Sequence, residues 1–332
     1  MERLKVLSLF SGCGGMDLGI LGNFKYLNKT YNQLPTEIVY AVDNDSYAVE
    51  IYNTNFSHNC LVADIKNINE KDLPDHDILV GGFPCQSFSV VAQNPPRLGI
   101  KDEKGQLFFE ICRILKEKQP RFFIAENVKG ILSANKKRAF PLIIQEFQKV
   151  GYHVTYQVLN ASDYGVPQKR ERVFIIGFKK FEDCFKFQFP QRTTTNEKIP
   201  LKLVLEDEIE DKYFFSQKAI EGMLKAKKIM NKGRVQNINQ PCNTISSHLA
   251  KVSLNSTDPV LKQDDSYRRF TPREAARIQS FPNDFILNVV SENRQYKAIG
   301  NAVPPVLMWH ISGQIINLII EEEKQKYSLK CA

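Results

Sequence analysis

The stretch LKVLSLFSGCGG, residues 4–15, decides the fold. Leu4 to Phe10 reads as a buried strand, and the glycine-rich turn after it leads into a short helix from about Met16, the handover expected at the edge of an open α/β sheet. The pattern repeats downstream. Glu37–Val42 reads as a second strand ending at Asp43, with a helix from about Ser46 to Asn55. Asp77–Val80 and Phe122–Ala125 read as strands with the helical pattern Leu107–Lys118 between them, and a helix over 140–150 precedes strands over 152–159 and 172–178. Such alternation predicts a mostly parallel sheet covered on both faces.

Open sheets place chemistry beyond the carboxyl ends of their strands. Gly81-Gly82-Phe83-Pro84-Cys85-Gln86-Ser87-Phe88-Ser89 follows one such end. Its small residues let a loop approach a substrate, so Cys85 is a candidate nucleophile, although a buried structural thiol is the commoner fate of a free cysteine. Glu126 directly follows Phe122–Ala125, an unusual place for a merely solvated acid. Arg170 and Arg172 open another strand; by themselves Lys169–Arg172 are alternating surface charges. The turn after Phe10 lacks the final glycine spacing of the dinucleotide fingerprint and suits a ligand without a pyrophosphate, although most such turns are plain architecture. Asp43 can accept hydrogen bonds from ribose hydroxyls.

At 332 residues, 42% hydrophobic and 25% charged, the chain has room for a large domain and a smaller one. No apolar run approaches a membrane span and Met1-Glu2-Arg3 leads directly into a strand, so the expectation is no membrane and a cytoplasmic location. Seven cysteines include no C-x-x-C pair, so neither a zinc site nor a disulfide framework is written here. The net charge of +8 matches the excess of thirteen Lys or Arg over five Asp or Glu between Lys212 and Arg277. That segment also carries Asn, Gln, Ser and Thr, which suits a polyanion, while Lys225, Lys227 and Lys228 fit a solvated helix equally well. Past Phe178 the pattern degrades through Pro190, Thr193–Thr195 and Pro200, which sets a domain boundary near 180–190. A helix starts at Thr271-Pro272 and runs to about Gln279, and an amphipathic helix runs from Pro305 to about Ile320.

Five blocks in order, Phe10–Gly15, Pro84-Cys85, Glu126-Asn127-Val128, Gln168–Arg172 and Gly300–Pro304, resemble the DNA (cytosine-5) methyltransferase family of bacterial restriction–modification systems. The resemblance runs from about Leu4 to Pro305 and leaves about 181–265 without a family signature. It implies an S-adenosylmethionine-dependent, Rossmann-like α/β fold. A catalytic domain would comprise 1–180 plus 296–332, and a smaller target-recognition domain 181–295. It implies that the Cys85 thiolate adds to carbon 6 of a cytosine extruded from the duplex, that Glu126 supplies or holds a proton at ring nitrogen 3, and that Arg170 and Arg172 hold the pyrimidine carbonyl and support the anionic groups.

The same resemblance surrounds S-adenosylmethionine with Phe10, Gly12, Gly14, Gly15, Asp43, Asn44, Asp64, Ile65, Pro84, Leu107, Asn301 and Val303. Asn44 departs from the family, which usually has a flat side chain there, so the stacking contact at 44 is in question. Val90 to Gln106 would close over the substrate. DNA contact would come from Gln86, Ser87, Ser89, Arg234, Thr244, Ser246, Ser247, His248 and Arg269, with Arg234 suited to a guanine and Arg269, like Arg277, structural first. The implied partners are double-stranded DNA with a short specific target and a functionally paired restriction endonuclease; the chain would be a monomer without metal. A nicotinamide dehydrogenase would leave Cys85, Glu126 and the basic segment without purpose. The same residues also admit an RNA cytosine-5 methyltransferase or a catalytically silent DNA-binding relative.

Overall fold

The apolar run after Arg3 forms strand β1, Leu4–Leu9, whose last four residues are buried. The computed structural model describes residues 2–83, 106–225, 234–250, 258–263 and 266–330. Within them β1 is flanked on both sides in a seven-stranded sheet. Its other strands are β2 Thr36–Asp43, β3 Cys60–Val62, β4 Ile78–Gly82, β5 Phe122–Val128, β6 His153–Asn160 and β7 Glu171–Phe178. The order is β3-β2-β1-β4-β5-β7-β6. The first five strands in that order are parallel. β7 runs antiparallel to both neighbours. The link between β6 and β7, residues 161–170, is too short for the crossover a parallel pair needs.

Helices cover both faces. α1 is Gly15–Leu21, α2 Ser46–Asn55, α3 Gln106–Lys118, α4 Ala139–Lys149, α5 Gln217–Lys225, α6 Pro272–Ile278, α7 Glu292–Asn301 and α8 Pro305–Lys330. Leu79, Phe123 and Ile175 point to one face, where Ile111 and Leu115 of α3 and Ile143 and Phe147 of α4 bury them. Val6, Ile38, Val80, Ile124 and Ile176 point to the other, against Ile20, Ile51, Ile311 and Ile315. The alternation along each strand is the period-two geometry of a sheet buried on both sides. The second cluster continues through Phe270, Ala276, Phe281 and Ile299, so α6 and α7 join the core of the large sheet. Helix starts are written locally: Asp45 caps α2 by accepting from the Tyr47 amide, and Thr271 and Glu274 form a capping box on α6 with Pro272 in its first turn.

Two expectations at the carboxyl end are corrected. The last helix continues to Lys330, and its first turns are buried nearly all round, with Val306, Leu307, Met308, Ile311, Ser312, Ile315 and Ile316 inside, so it is a core helix rather than an amphipathic one. The stretch Glu292–Lys324 also contains a window apolar enough to cross a bilayer by length and composition, against the expectation that none comes close; 67% of that window is buried in the fold. α8 lies directly on α1. A Cβ on Gly19 would come within 2.5 Å of the Met308 side chain.

Candidate active site

The carboxyl ends of β1, β2, β4 and β5 open on a cleft of about 770 Å³, within the size range of small-molecule sites. Because β7 is antiparallel, its beginning lies at the same edge and delivers Arg170 and Arg172 there.

The turn after β1 is shaped for close approach. Phe10, Gly12 and Gly14 all have left-handed backbone, with φ of 54°, 55° and 91°. A Cβ on Gly15 would sit 2.3 Å from the Val303 carbonyl oxygen, whereas one on Gly12 would meet nothing within 4 Å. The cleft begins over Gly12. Asp43 pins the turn: its Oδ2 accepts from the Gly12 amide at 2.8 Å and its Oδ1 from the Asp45 amide at 2.8 Å. Burial, partly offset by those amides, pushes the Asp43 carboxyl up. Of the expected cofactor residues, Phe10, Gly12, Gly15, Asp43, Asn44, Asn301 and Val303 line the cleft. Gly14 lies beneath it as the cap of α1. Asp64, Ile65 and Leu107 are not brought to it. Asp64 caps a short turn through the Lys66 amide, Ile65 is buried with its carbonyl on Arg113, and Leu107 packs on the core. The Asp43 carboxylate at this end can also accept from hydroxyl groups such as those of a ribose.

At the other end Gly82 pairs with Glu126 across β4 and β5. Asn127 is buried, and its Nδ2 donates to the Phe83 carbonyl at 2.9 Å, fixing the chain two residues before Cys85. Cys85 itself, with Pro84, Gln86, Ser87, Ser89 and the expected closing loop up to residue 105, lies outside the described residues. Glu126 meets Arg172, whose Nε is 3.0 Å from Oε1. Burial holds the Glu126 carboxyl above its usual range, opposed by Arg172 and then Arg170.

Arg170 is buried in the cleft lining, with its terminal nitrogens taken and its Nε without a hydrogen-bond partner among the described residues. It donates from Nη1 to the Ile245 carbonyl at 3.1 Å and from Nη2 to the Gly300 and Ala302 carbonyls at 3.0 Å each. Burial and then the Arg172 charge pull its guanidinium below the usual value. Gln168 works beside it: its Oε1 accepts from the Ile245 amide and its Nε2 donates to Gln279. Both terminal nitrogens of Arg170 hold the walls of the cleft together, while the arginine that reaches Glu126 is Arg172.

The expected DNA readers also need correction. Arg234 is buried, with Nε donating to the Asp258 carbonyl at 2.8 Å, and is not presented to a groove. Ser246 donates to Asp258 Oδ1 at 2.6 Å, and Thr244 to the Lys169 carbonyl at 2.7 Å, so both hydroxyls tie loops. Ser247 is half-buried and His248 exposed. Arg269 lies over the Tyr213 ring at 5.4 Å, a structural place as expected. Sequence reasoning missed Ser11, Asp45, Tyr47, Arg294 and Lys297, which also line the cleft. Arg294 stacks over Tyr47 at 4.1 Å and Lys297 pairs with Asp45 at 2.6 Å, joining α7 to α2. The two basic residues lie just ahead of the Gly300 block, whose position was their only sequence signal.

Residues 4–317 match the family described as C-5 cytosine-specific DNA methylase. The chain is 37% identical to the Type II methyltransferase M1.ScrFI of Lactococcus lactis subsp. cremoris over 97% of its own length and 80% of that protein. It is 35% identical to the Type II methyltransferase M.FnuDI of Fusobacterium nucleatum, covering 98% of each. Among solved structures it resembles a methyltransferase of Entamoeba histolytica, EhMeth, with a TM-score of 0.76, 17% identity and coverage of 96% of this chain and 99% of the other. The Dnmt2 methyltransferase of S. pombe has a TM-score of 0.73 and 21% identity over 96% and 99%.

Proposed function

The chain belongs to the C-5 cytosine-specific DNA methylase family, and from that premise we propose that it methylates carbon 5 of a cytosine flipped out of double-stranded DNA through a covalent bond to Cys85. One observation carries the reading: Glu126, held by Arg172, stands over the strand that leads to Cys85, in the same cleft as the glycine turn and Asp43.

S-adenosylmethionine would supply the methyl group, held by Phe10, Gly12, Asp43, Asn301 and Val303, with Asn44 at the rim and Gly14 and Gly15 shaping the turn. Pro84 is a further candidate for cofactor contact. Cys85 bonds to carbon 6 while Glu126 gives a proton to nitrogen 3, so the ring's electron pair is directed to carbon 5. After transfer a base takes the carbon 5 proton, the bond to sulfur breaks by elimination, and Glu126 recovers its proton. Arg172 steadies the Glu126 carboxylate as it forms. Residues 1–180 with 296–332 act as the catalytic unit and 181–295 as the recognition unit, joined to the core of the large sheet through α6 and α7, and the basic segment approaches the phosphates. Gln86, Ser87, Ser89, Ser247 and His248 are the candidates for DNA contact. A monomer in the cytoplasm that protects DNA from a paired restriction endonuclease fits the Type II designation of the relatives.

A duplex carrying 5-fluorocytosine tests the chemistry. Fluorine cannot leave as a proton does, so the adduct persists and the protein stays covalently on the DNA through denaturing electrophoresis. The adduct is expected with the wild type and S-adenosylmethionine and absent with Cys85→Ser. An adduct on the same sequence only as RNA would overturn the DNA reading.

A further inference from the structure

Beneath the glycine turn lies a line of buried polar groups that the chemistry above does not use. The hydroxyls of Ser11, in the cleft wall, and Ser8 are 2.9 Å apart. Ser8 donates to Asp17 Oδ1 at 2.6 Å, and the Tyr52 hydroxyl donates to Oδ2 at 2.5 Å. That hydroxyl oxygen lies 2.6 Å from His58 Nε2, near the surface. Asp17 and Tyr52 are 0% exposed and Ser8 1%. Asp17 has no ion pair among the described residues.

With Asp17 ionised, donor counting fixes the directions along this line. An ionised carboxylate only accepts, and Ser8 and Tyr52 each have one proton, which it takes. Ser8 must then accept from Ser11, and Tyr52 from the Nε2–H of His58. Protonated Asp17 must itself donate. Given to Ser8, that proton sends the Ser8 proton to Ser11 and turns the Ser11 proton toward the carbonyls of Ser8 or Val42, at 3.2 and 3.3 Å. A charge at Asp17 is thus coupled through Ser8 to Ser11, a residue of the cleft wall whose Oγ also accepts from the Val42 amide at 3.3 Å.

We propose that Asp17 is a positioning residue for the cofactor: ionised, it orders Ser8, Ser11 and the turn to Gly15, and its protonation weakens cofactor binding. The inference rests on the S-adenosylmethionine reading above. Burial pushes the Asp17 carboxyl up to about 6, against the pull of Ser8 and Tyr52. Cys13 and Cys60 face the same interior, with Asp43 beyond them, and burial pushes both thiols up to about 12, so they stay neutral. His58, pulled down by burial, keeps its Nε2–H whether or not Nδ1 is protonated. On the far side α8 meets α1 through Pro305 and Met308.

The test is calorimetric binding of S-adenosylmethionine to the full chain from about pH 5.5 to 8.5, for wild type, Asp17→Asn and Tyr52→Phe. The wild-type affinity should fall about threefold between neutral pH and pH 5.5, the loss expected there when the carboxyl titrates near 6 in the free protein and about one unit lower in the bound one. Asp17→Asn should lose that step. Tyr52→Phe removes a donor to the charged form, so the midpoint should move to higher pH. Asp43 also titrates high, but Tyr52 does not touch it, so a midpoint that moves with Tyr52 belongs to Asp17. A step kept by Asp17→Asn, or a Tyr52→Phe protein weakened equally at every pH, would overturn the proposal, and Tyr52→Phe decides it alone if the asparagine protein does not fold. A wild type that binds at every pH without a step removes only this inference, whereas one that binds at no pH removes the cofactor reading beneath it.

Discussion

Replacing Arg172 by alanine removes the guanidinium whose Nε lies 3.0 Å from Glu126 Oε1, between side chains only 13% and 12% exposed. At an effective dielectric of about 20, unit charges ~4 Å apart attract by ~4 kcal/mol, and an opposite charge at this range typically moves a carboxyl by ~1–3 pKa units. Arg170 remains nearby and Glu126 stays buried, so the variant carboxyl should titrate higher than in the wild type. The sign follows from the acid: a higher pKa keeps the proton on Glu126 to higher pH. The proposed chemistry needs that proton for ring nitrogen 3, so the alkaline limb of the methyl-transfer rate should move upward in pH even if the maximum falls. Single-turnover transfer to a saturating duplex across the pH range reads the limb directly. A lower rate with the limb where the wild type has it would refute the coupling between Arg172 and Glu126.

Arg170→Met should leave the carbonyls of Ile245, Gly300 and Ala302 without donors; at about 1 kcal/mol each, urea unfolding should show a loss of roughly 3 kcal/mol. Arg170→Lys should recover little of it, because an ammonium lacks the planar fork. Gly300→Ala would put a Cβ 2.3 Å from the Ser246 backbone, and thermal unfolding should show a loss of ~1–3 kcal/mol from overpacking. Asp17 has its carboxyl raised from 3.8 to about 6 by burial, so its contribution to stability is full at low pH and lost as pH rises through 6. Wild type measured against Asp17→Asn should therefore lose up to ~3 kcal/mol between about pH 4 and 7. A difference independent of pH would contradict the assignment.

The parallel half of the sheet was legible because each strand is an apolar run ending at a turn, acid or glycine, and the helix from Ser46 announces itself with Asp45 as cap. The antiparallel β7 was not read, although its one signal is chain length: ten residues between β6 and β7 exclude a helical crossover. Glu126 and Arg172 stand in the cleft as their positions implied. Arg234 failed for a physical reason: a basic residue among polar neighbours looks the same in sequence whether it faces DNA or donates inward to the Asp258 carbonyl. Arg170 has the same ambiguity: three carbonyls from distant segments hold its terminal nitrogens, and the side chain still lines the cleft. Tyr47, Arg294 and Lys297 become neighbours only when α7 crosses α2, a contact no local pattern encodes.

Bisulfite sequencing of a mixed-sequence plasmid, treated with the protein and S-adenosylmethionine beside a Cys85→Ser control, tests the central claim most directly. Cytosines protected in one short sequence motif by the wild type and nowhere by the variant are the predicted result. Equal protection with Cys85→Ser, or no protected cytosine with a protein shown to bind S-adenosylmethionine and DNA, would contradict it.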